Sequence, residues 1–138
     1  MSIIKLLNRF LPALLWATVI FILSSIPGKG FAKFQFFFYL PFADKLVHGV
    51  IYLILGVLTY RAFSPTERRF NYTLPLSIIL CTAFGFTDEL HQTFIPGRDM
   101  SMYDLLADSI GAIIGVSLWY IFRSKVKALK AEGGLPHE

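Results

Sequence analysis

Charge is scarce in this sequence. Only 16% of its 138 residues are Asp, Glu, Lys or Arg, whereas 55% are hydrophobic. A soluble domain carries about a quarter charged residues, and here the apolar residues also gather in long uninterrupted runs, at a mean hydropathy of +0.60. A water-dispersed globule is therefore excluded, and lipid is the expected solvent. Cysteine is nearly absent. Cys81 stands alone in an apolar run, which rules out an internal disulfide and reads as a buried, inert thiol. No Walker-type loop or G-x-G-x-x-G supports nucleotide use, and no G-x-S-x-G elbow supports serine-hydrolase chemistry. Neither an internal repeat nor a low-complexity linker divides the chain, so a single transmembrane domain over residues 1–124 is expected. A basic tail over residues 125–138 follows it.

What is present is a set of four apolar runs. Phe10 to Ile26, Leu46 to Tyr60, Tyr72 to Thr87 and Tyr103 to Phe122 each read as a membrane span. A helix needs roughly 17–25 residues to cross about 30 Å of hydrocarbon. The second and third runs are a little short, so their helices are expected to extend into the polar flanks. The fold class is thus all-α, a polytopic bundle of about four transmembrane helices. The first run resembles a signal peptide in its basic start, but no small-x-small site follows it, and cleavage is not expected. Pro12 and Pro75 are expected in first turns, where proline is tolerated.

The net charge is +4, but the basic residues flank the runs instead of forming a stripe. That placement argues for a membrane rather than nucleic acid as the partner. Lys5, Arg9, Arg61, Arg68, Arg69, Arg123, Lys125, Lys127 and Lys130 fall on one side, against Lys29, Lys33, Lys45 and Arg98 on the other. Basic residues collect in cytoplasmic segments, so both termini are expected in the cytoplasm. The stretch over residues 31–42 is dense in aromatics and suits the membrane–water boundary; a lid over a site is its alternative use.

The polar residues within the spans are not scattered. Asp44, Lys45, His48 and Tyr52 open the second span, and Asp44, His48 and Tyr52 share a helix face at spacings of four. Thr87, Asp88, Glu89, His91 and Gln92 close the third. Arg98, Asp99, Ser101, Asp104 and Asp108 lead into the fourth. In the expected topology all three groups meet at one membrane face, the outer one. An ionisable group inside a span costs roughly 2.5–3.5 kcal/mol on insertion scales and turns toward the bundle interior. Asp108 at hydrocarbon depth therefore needs a partner, water or a proton. Two readings remain open: a binding or catalytic site, or an ion-pair network that only fixes helix register. His48, Glu89, His91, Asp104 and Asp108 carry metal-ligating atoms, but no H-E-x-x-H or paired-Cys spacing is present. Glu89 and His91 also point about 200° apart on a helix, from 100° per residue; no metal site is expected. Gly111 and Gly115 form a G-x-x-x-G pair that lets backbones approach closely, either within the chain or in a homodimer.

These same residues carry a family resemblance. Asp44-Lys45-Leu46-Val47-His48 with Tyr52, Thr87-Asp88-Glu89-Leu90-His91-Gln92, Phe94-Ile95-Pro96-Gly97-Arg98, and Asp104, Asp108, Gly111 and Gly115 occur in order. Together with the Ser24-Ser25-Ile26-Pro27 end of the first span, they resemble the VanZ-like membrane proteins. Asp108 departs from the Asn of many members. The resemblance implies a bacterial plasma-membrane protein of the cell envelope, linked to susceptibility to glycopeptide antibiotics of the teicoplanin type. An outward-facing pocket that binds or modifies a lipid-linked or headgroup substrate is the expected function. In an enzyme of this kind Asp88, Glu89, His91 and His48 are the candidate catalytic residues. Asp44, Lys45, Tyr52, Gln92, Arg98, Asp104 and Asp108 are then the candidate binding residues, with Lys45 and Arg98 on an anionic group. The cofactor is left open. The alternatives are a non-catalytic membrane scaffold and a small transporter subunit.

Overall fold

The structure, a computed structural model, describes residues 3–28, 42–64 and 70–132. The described residues form four helices: α1 (Ile3–Ser24), α2 (Ala43–Phe63), α3 (Phe70–Gln92) and α4 (Met102–Ala131). All four are long and apolar enough to cross a membrane. α2 and α3 do run into their polar flanks, as their short apolar cores require, so Asp44, Lys45, Asp88 and Glu89 are helical residues. At 1.5 Å per residue α2 is about 32 Å long and matches the hydrocarbon, whereas α4, at about 45 Å, projects beyond it. The projecting part carries Lys125, Lys127 and Lys130.

Both prolines lie deeper than the sequence indicated. α1 starts at Ile3 and α3 at Phe70, so Pro12 and Pro75 are interior residues and not first-turn ones. Each removes one backbone hydrogen bond, which membrane helices tolerate where neighbours or local adjustments re-satisfy the freed carbonyl. Of the aromatic stretch over residues 31–42 only Phe42 is described. It is exposed and enters α2 with φ 72°. The rest of that expectation lies outside the described residues.

The helices alternate in direction. Phe10 meets Phe63 edge-on at 5.2 Å, and Trp16 Nε1 donates to the Ile51 carbonyl at 2.9 Å, so α1 and α2 are antiparallel. α2 and α4 are parallel and form the most extensive contact in the bundle. Their seam is made of small residues. A Cβ on Gly111 or Gly115 would strike the backbone carbonyl of Gly49 or Leu53, and one on Gly56 would come within 2.6 Å of the Ala112 carbonyl. Of the two uses open to the Gly111–Gly115 pair, the structure therefore shows the one within the chain, with both glycines packed on α2. Tyr52, Leu55, Cys81 and Ala112 form the core with Ile20. Cys81 is buried there, as its apolar surroundings indicated.

α1 is held differently. Only 6% of its apolar stretch is buried, against 33% for α2 and for α3 and 28% for α4. Leu14, Leu15, Phe21 and Ile22 face outward. In water so continuous an apolar face would aggregate; in a bilayer it is ordinary lipid-facing surface.

Candidate functional site

Alternation of the helices brings the start of α2, the end of α3 and the start of α4 to one end of the bundle, with the end of α1 beside them. Two contacts link α2 to α4. Lys45 Nζ lies 2.6 Å from Asp104 Oδ1 and 2.5 Å from Asp44 Oδ2. One turn deeper, His48 Nδ1 lies 3.0 Å from Asp108 Oδ1. The two contacts lie one turn apart on both helices, three residues on α2 (45 and 48) and four on α4 (104 and 108). Asp108 is fully buried, and Asp88, Glu89 and Gln92 are buried on α3.

α3 and the loop after it complete the arrangement. Glu89 Oε2 accepts the Ser101 backbone N–H at 2.8 Å, tying the end of α3 to the N-cap of α4, where the Ser101 hydroxyl accepts from the Asp104 N–H. Gln92 donates to Asp88 Oδ2 at 3.2 Å and accepts from Arg98 Nη1 at 2.9 Å. Arg98 Nε in turn donates to the Ile26 carbonyl at 3.3 Å. The loop turns at Gly97, whose φ of 76° suits glycine, and Gly28 lies so close to it that a Cβ there would strike the Gly97 carbonyl. A hydrogen bond from the Gly28 N–H to the Pro96 carbonyl, 3.2 Å, closes this corner.

Between these elements lies a cavity of about 470 Å³, within the range of small-molecule sites. Its polar side is formed by Asp44, His48, Tyr52, Asp88, Gln92, Arg98, Asp99 and Asp104, its apolar side by Ile20, Leu23, Val47 and Ile51 of α1 and α2. Asp44, His48 and Tyr52, which the sequence put on one helix face, all line it.

Among the residues singled out by sequence, His91 stands apart. It stacks on Phe21 of α1 at 4.5 Å, and its Nε2 lies 3.0 Å from Ser25 Oγ. Glu89 and His91 thus diverge, Glu89 toward α4 and His91 toward α1, as two residues separated by one on a helix must. Lys45 lies beside the cavity and holds Asp104, while Arg98 lines it directly.

The family description VanZ/LLP1 matches residues 9–123. The chain belongs to the VanZ/LLP1 family. The match takes in α2, α3 and most of α1 and α4, and with them every residue of the cavity. The chain is also similar to an uncharacterized protein, C11E3.10, of Schizosaccharomyces pombe (strain 972 / ATCC 24843), at 26% identity over 86 residues. That alignment covers 62% of this chain and 51% of the yeast protein, so the chain spans about half the length of this relative. No solved structure matches. Family and helices together make this VanZ/LLP1 chain a multi-pass membrane protein.

Some residues of the cavity were not singled out by sequence. Ser24 of α1 lines it, buried at the helix end, and Ser25 anchors His91. The Ser24-Ser25-Ile26-Pro27 string was the signal for both, but nothing in a string of serines says which neighbour each will meet. The most consequential grouping was also invisible. One ligand-type atom each from His48, Glu89 and Asp104 lies within 4.8 Å of the other two. These residues sit on three different helices, so no spacing rule within one helix finds them together.

Proposed function

We propose that this VanZ/LLP1 protein sits in a bacterial plasma membrane with both termini in the cytoplasm, and that its outward-facing cavity holds the polar head of a membrane lipid or lipid-linked envelope precursor. The observation that carries the reading is the two-sided lining. Asp44, His48, Tyr52, Asp88, Gln92, Arg98 and Asp104 face Ile20, Leu23, Val47 and Ile51 across one cavity, and a lipid brings a polar head and an apolar stem together in that way. The weakly buried α1 supplies half of the apolar wall, Ile20 and Leu23, which favours entry from the side. Arg98 is the cation of the lining and the residue to meet a phosphate. Asp88, His48 and the buried Glu89 are the groups for proton transfer should the bound head be modified. The orientation rests on the basic residues: Arg61, Arg123, Lys125, Lys127 and Lys130 lie at the end opposite the cavity, with Lys5 and Arg9 of α1. A headgroup is also a ligand that bacterial and yeast membranes share.

A second reading has its own support. Glu89 is satisfied by the Ser101 N–H and Gln92, and Asp104 by Lys45, as a scaffold that only fixes helix register requires.

Mass spectrometry of lipids co-purifying with the full chain separates the two. A headgroup class enriched on the wild type and reduced at least tenfold on Arg98→Ala supports the site. Identical lipid profiles for both proteins, at equal membrane levels, would reject it in favour of the scaffold. Teicoplanin susceptibility of strains expressing the two proteins tests the envelope role. Protection that is lost with Arg98→Ala is expected, and no difference between either strain and one lacking the protein counts against that role.

A further inference from the structure

We propose that His48, Glu89 and Asp104 form a divalent-cation site, for an ion of the Zn²⁺ or Mn²⁺ type, beside the cavity, which His48 and Asp104 line and Glu89 does not. The three residues come from α2, α3 and α4, and one donor atom from each lies within 4.8 Å of the others. First-row ions bind N and O donors at about 2.0–2.2 Å, so a central ion spans such a trio with small side-chain movement. One imidazole with carboxylates is a mixed N/O set, which suits these ions better than the all-oxygen preference of Ca²⁺.

The surroundings point the same way. An ionised carboxylate only accepts hydrogen bonds, so with Asp108 ionised the contact between His48 Nδ1 and Asp108 Oδ1, 3.0 Å, places the ring hydrogen on Nδ1. The Nε2 lone pair is then left for a metal. A carboxylate behind a ligating imidazole is the usual support of such a site. Glu89 is oriented by the Ser101 N–H in the same manner. Asp104 gives Oδ1 to Lys45 and retains a second oxygen.

An independent observation comes from groups outside the trio. Asp88 lines the cavity, is 3% exposed, and its Oδ1 has no hydrogen-bond partner among the described residues. Asp108, fully buried, has an unpartnered Oδ2 as well. Asp44, Asp88, Glu89, Asp104 and Asp108 thus gather at the same end of the bundle as Lys45 and Arg98. A bound dication supplies the positive charge that buried carboxylates require. Ordinary ion pairing accounts for Asp44 and Asp104 through Lys45, but it leaves the Asp88 and Asp108 oxygens unexplained.

The inference is independent of lipid binding, because the ion is held by protein groups alone, and with His48 and Glu89 on the ion it leaves Asp88 as the group for proton transfer. The full chain, purified in detergent and stripped with EDTA, is titrated with Zn²⁺ and separately with Mn²⁺ in the absence of lipid. About one ion per chain is expected to survive desalting for one of the two metals, with X-ray absorption showing one imidazole nitrogen among oxygen donors. His48→Ala and Glu89→Gln should each weaken binding at least tenfold, and Asp108→Asn by about 10–100-fold, the range for a lost supporting carboxylate. Circular dichroism and elution volume identify any variant that fails to fold, and Asp104→Asn replaces it in the comparison. No retained ion with either metal, a first shell lacking imidazole, or wild-type affinity in folded His48→Ala each overturns the site. Lipid retention by both stripped and loaded protein is scored separately, so failure of the metal site and failure of the lipid reading are distinguishable outcomes.

Discussion

The two ends of the α2–α4 pair are built on opposite principles. At the end where the chain leaves α4, one cation closes the seam: Arg123 Nη1 donates to both the backbone oxygen and the hydroxyl of Ser64, the residue that caps α2. Tyr60 is buried there, edge-on to Tyr120 at 6.4 Å, and its hydroxyl is the exception at this end, buried without a hydrogen-bond partner among the described residues. At the cavity end, carboxylates outnumber the cations beside them, and the Tyr52 hydroxyl, Asp88 Oδ1 and Asp108 Oδ2 are buried without partners among the described residues. Buried polar groups are ordinarily satisfied, and a cluster of exceptions signals function or a missing ion. The same two helices therefore devote one end to closure and the other to a site.

Between the ends, the small-residue seam is what the comparison depends on, and breaking it should have the largest effect. In Gly111→Ala the new Cβ strikes the Gly49 backbone carbonyl, and in Gly115→Ala that of Leu53. Backbone on a packed helix has no rotamer to escape into, so each should lower stability by about 3 kcal/mol, the upper part of the overpacking range. Gly49→Ala is the control, since its Cβ would lie at an ordinary 3.6 Å from the Ala107 carbonyl. Thermal unfolding in detergent should separate the first two variants from the third. Equal melting for Gly111→Ala and Gly49→Ala would mean that the seam is not close-packed.

Part of this was legible in the sequence and part was not, for a definite reason. The number of helices follows from apolar runs, because a span must be apolar wherever it meets lipid. The gathering of polar residues at one end follows from alternation of direction, and the shared face of Asp44, His48 and Tyr52 from helical periodicity. Periodicity shows which residues share a face but not which helix that face meets. Hence the pairing of His48 with Asp108, of Lys45 with Asp104, and the meeting of His48 with Glu89 were not readable. The in-chain use of Gly111 and Gly115 was one of two alternatives for the same reason. Helix ends escaped because polar flanks look like loops when read as hydropathy, which is also why Pro12 and Pro75 were placed in first turns.

Arg123 offers an intermediate effect and sharpens the contrast between the ends. Arg123→Leu removes the donor to Ser64 and leaves the end of α2 with an unpaired carbonyl. A hydrogen bond to a charged group is worth about 1.5–3 kcal/mol, so a loss of about 2 kcal/mol is expected, with Arg123→Lys recovering part of it. Headgroup retention at the far end of the bundle should be unchanged at temperatures where the variant is folded. A loss of retention without unfolding would show that the two ends are coupled along α2, contrary to the division of labour above.

The smallest effect is expected at His91, and it tests the boundary of the cavity end. His91 was a candidate acid or base by its place beside Asp88 and Glu89, yet its ring lies on Phe21 and its Nε2 faces Ser25. It is absent from the cavity lining, which takes in Asp88 and Gln92 of the same turn. His91→Phe keeps the stacking surface against α1 and gives up one hydrogen bond, so stability should fall by about 1 kcal/mol or less. Headgroup retention should stay within twofold of the wild type, whereas Arg98→Ala loses it. If His91→Phe instead abolishes retention while melting normally, the functional surface extends past the cavity onto the α1 face of α3, and Ser25 joins Ser24 as part of the site.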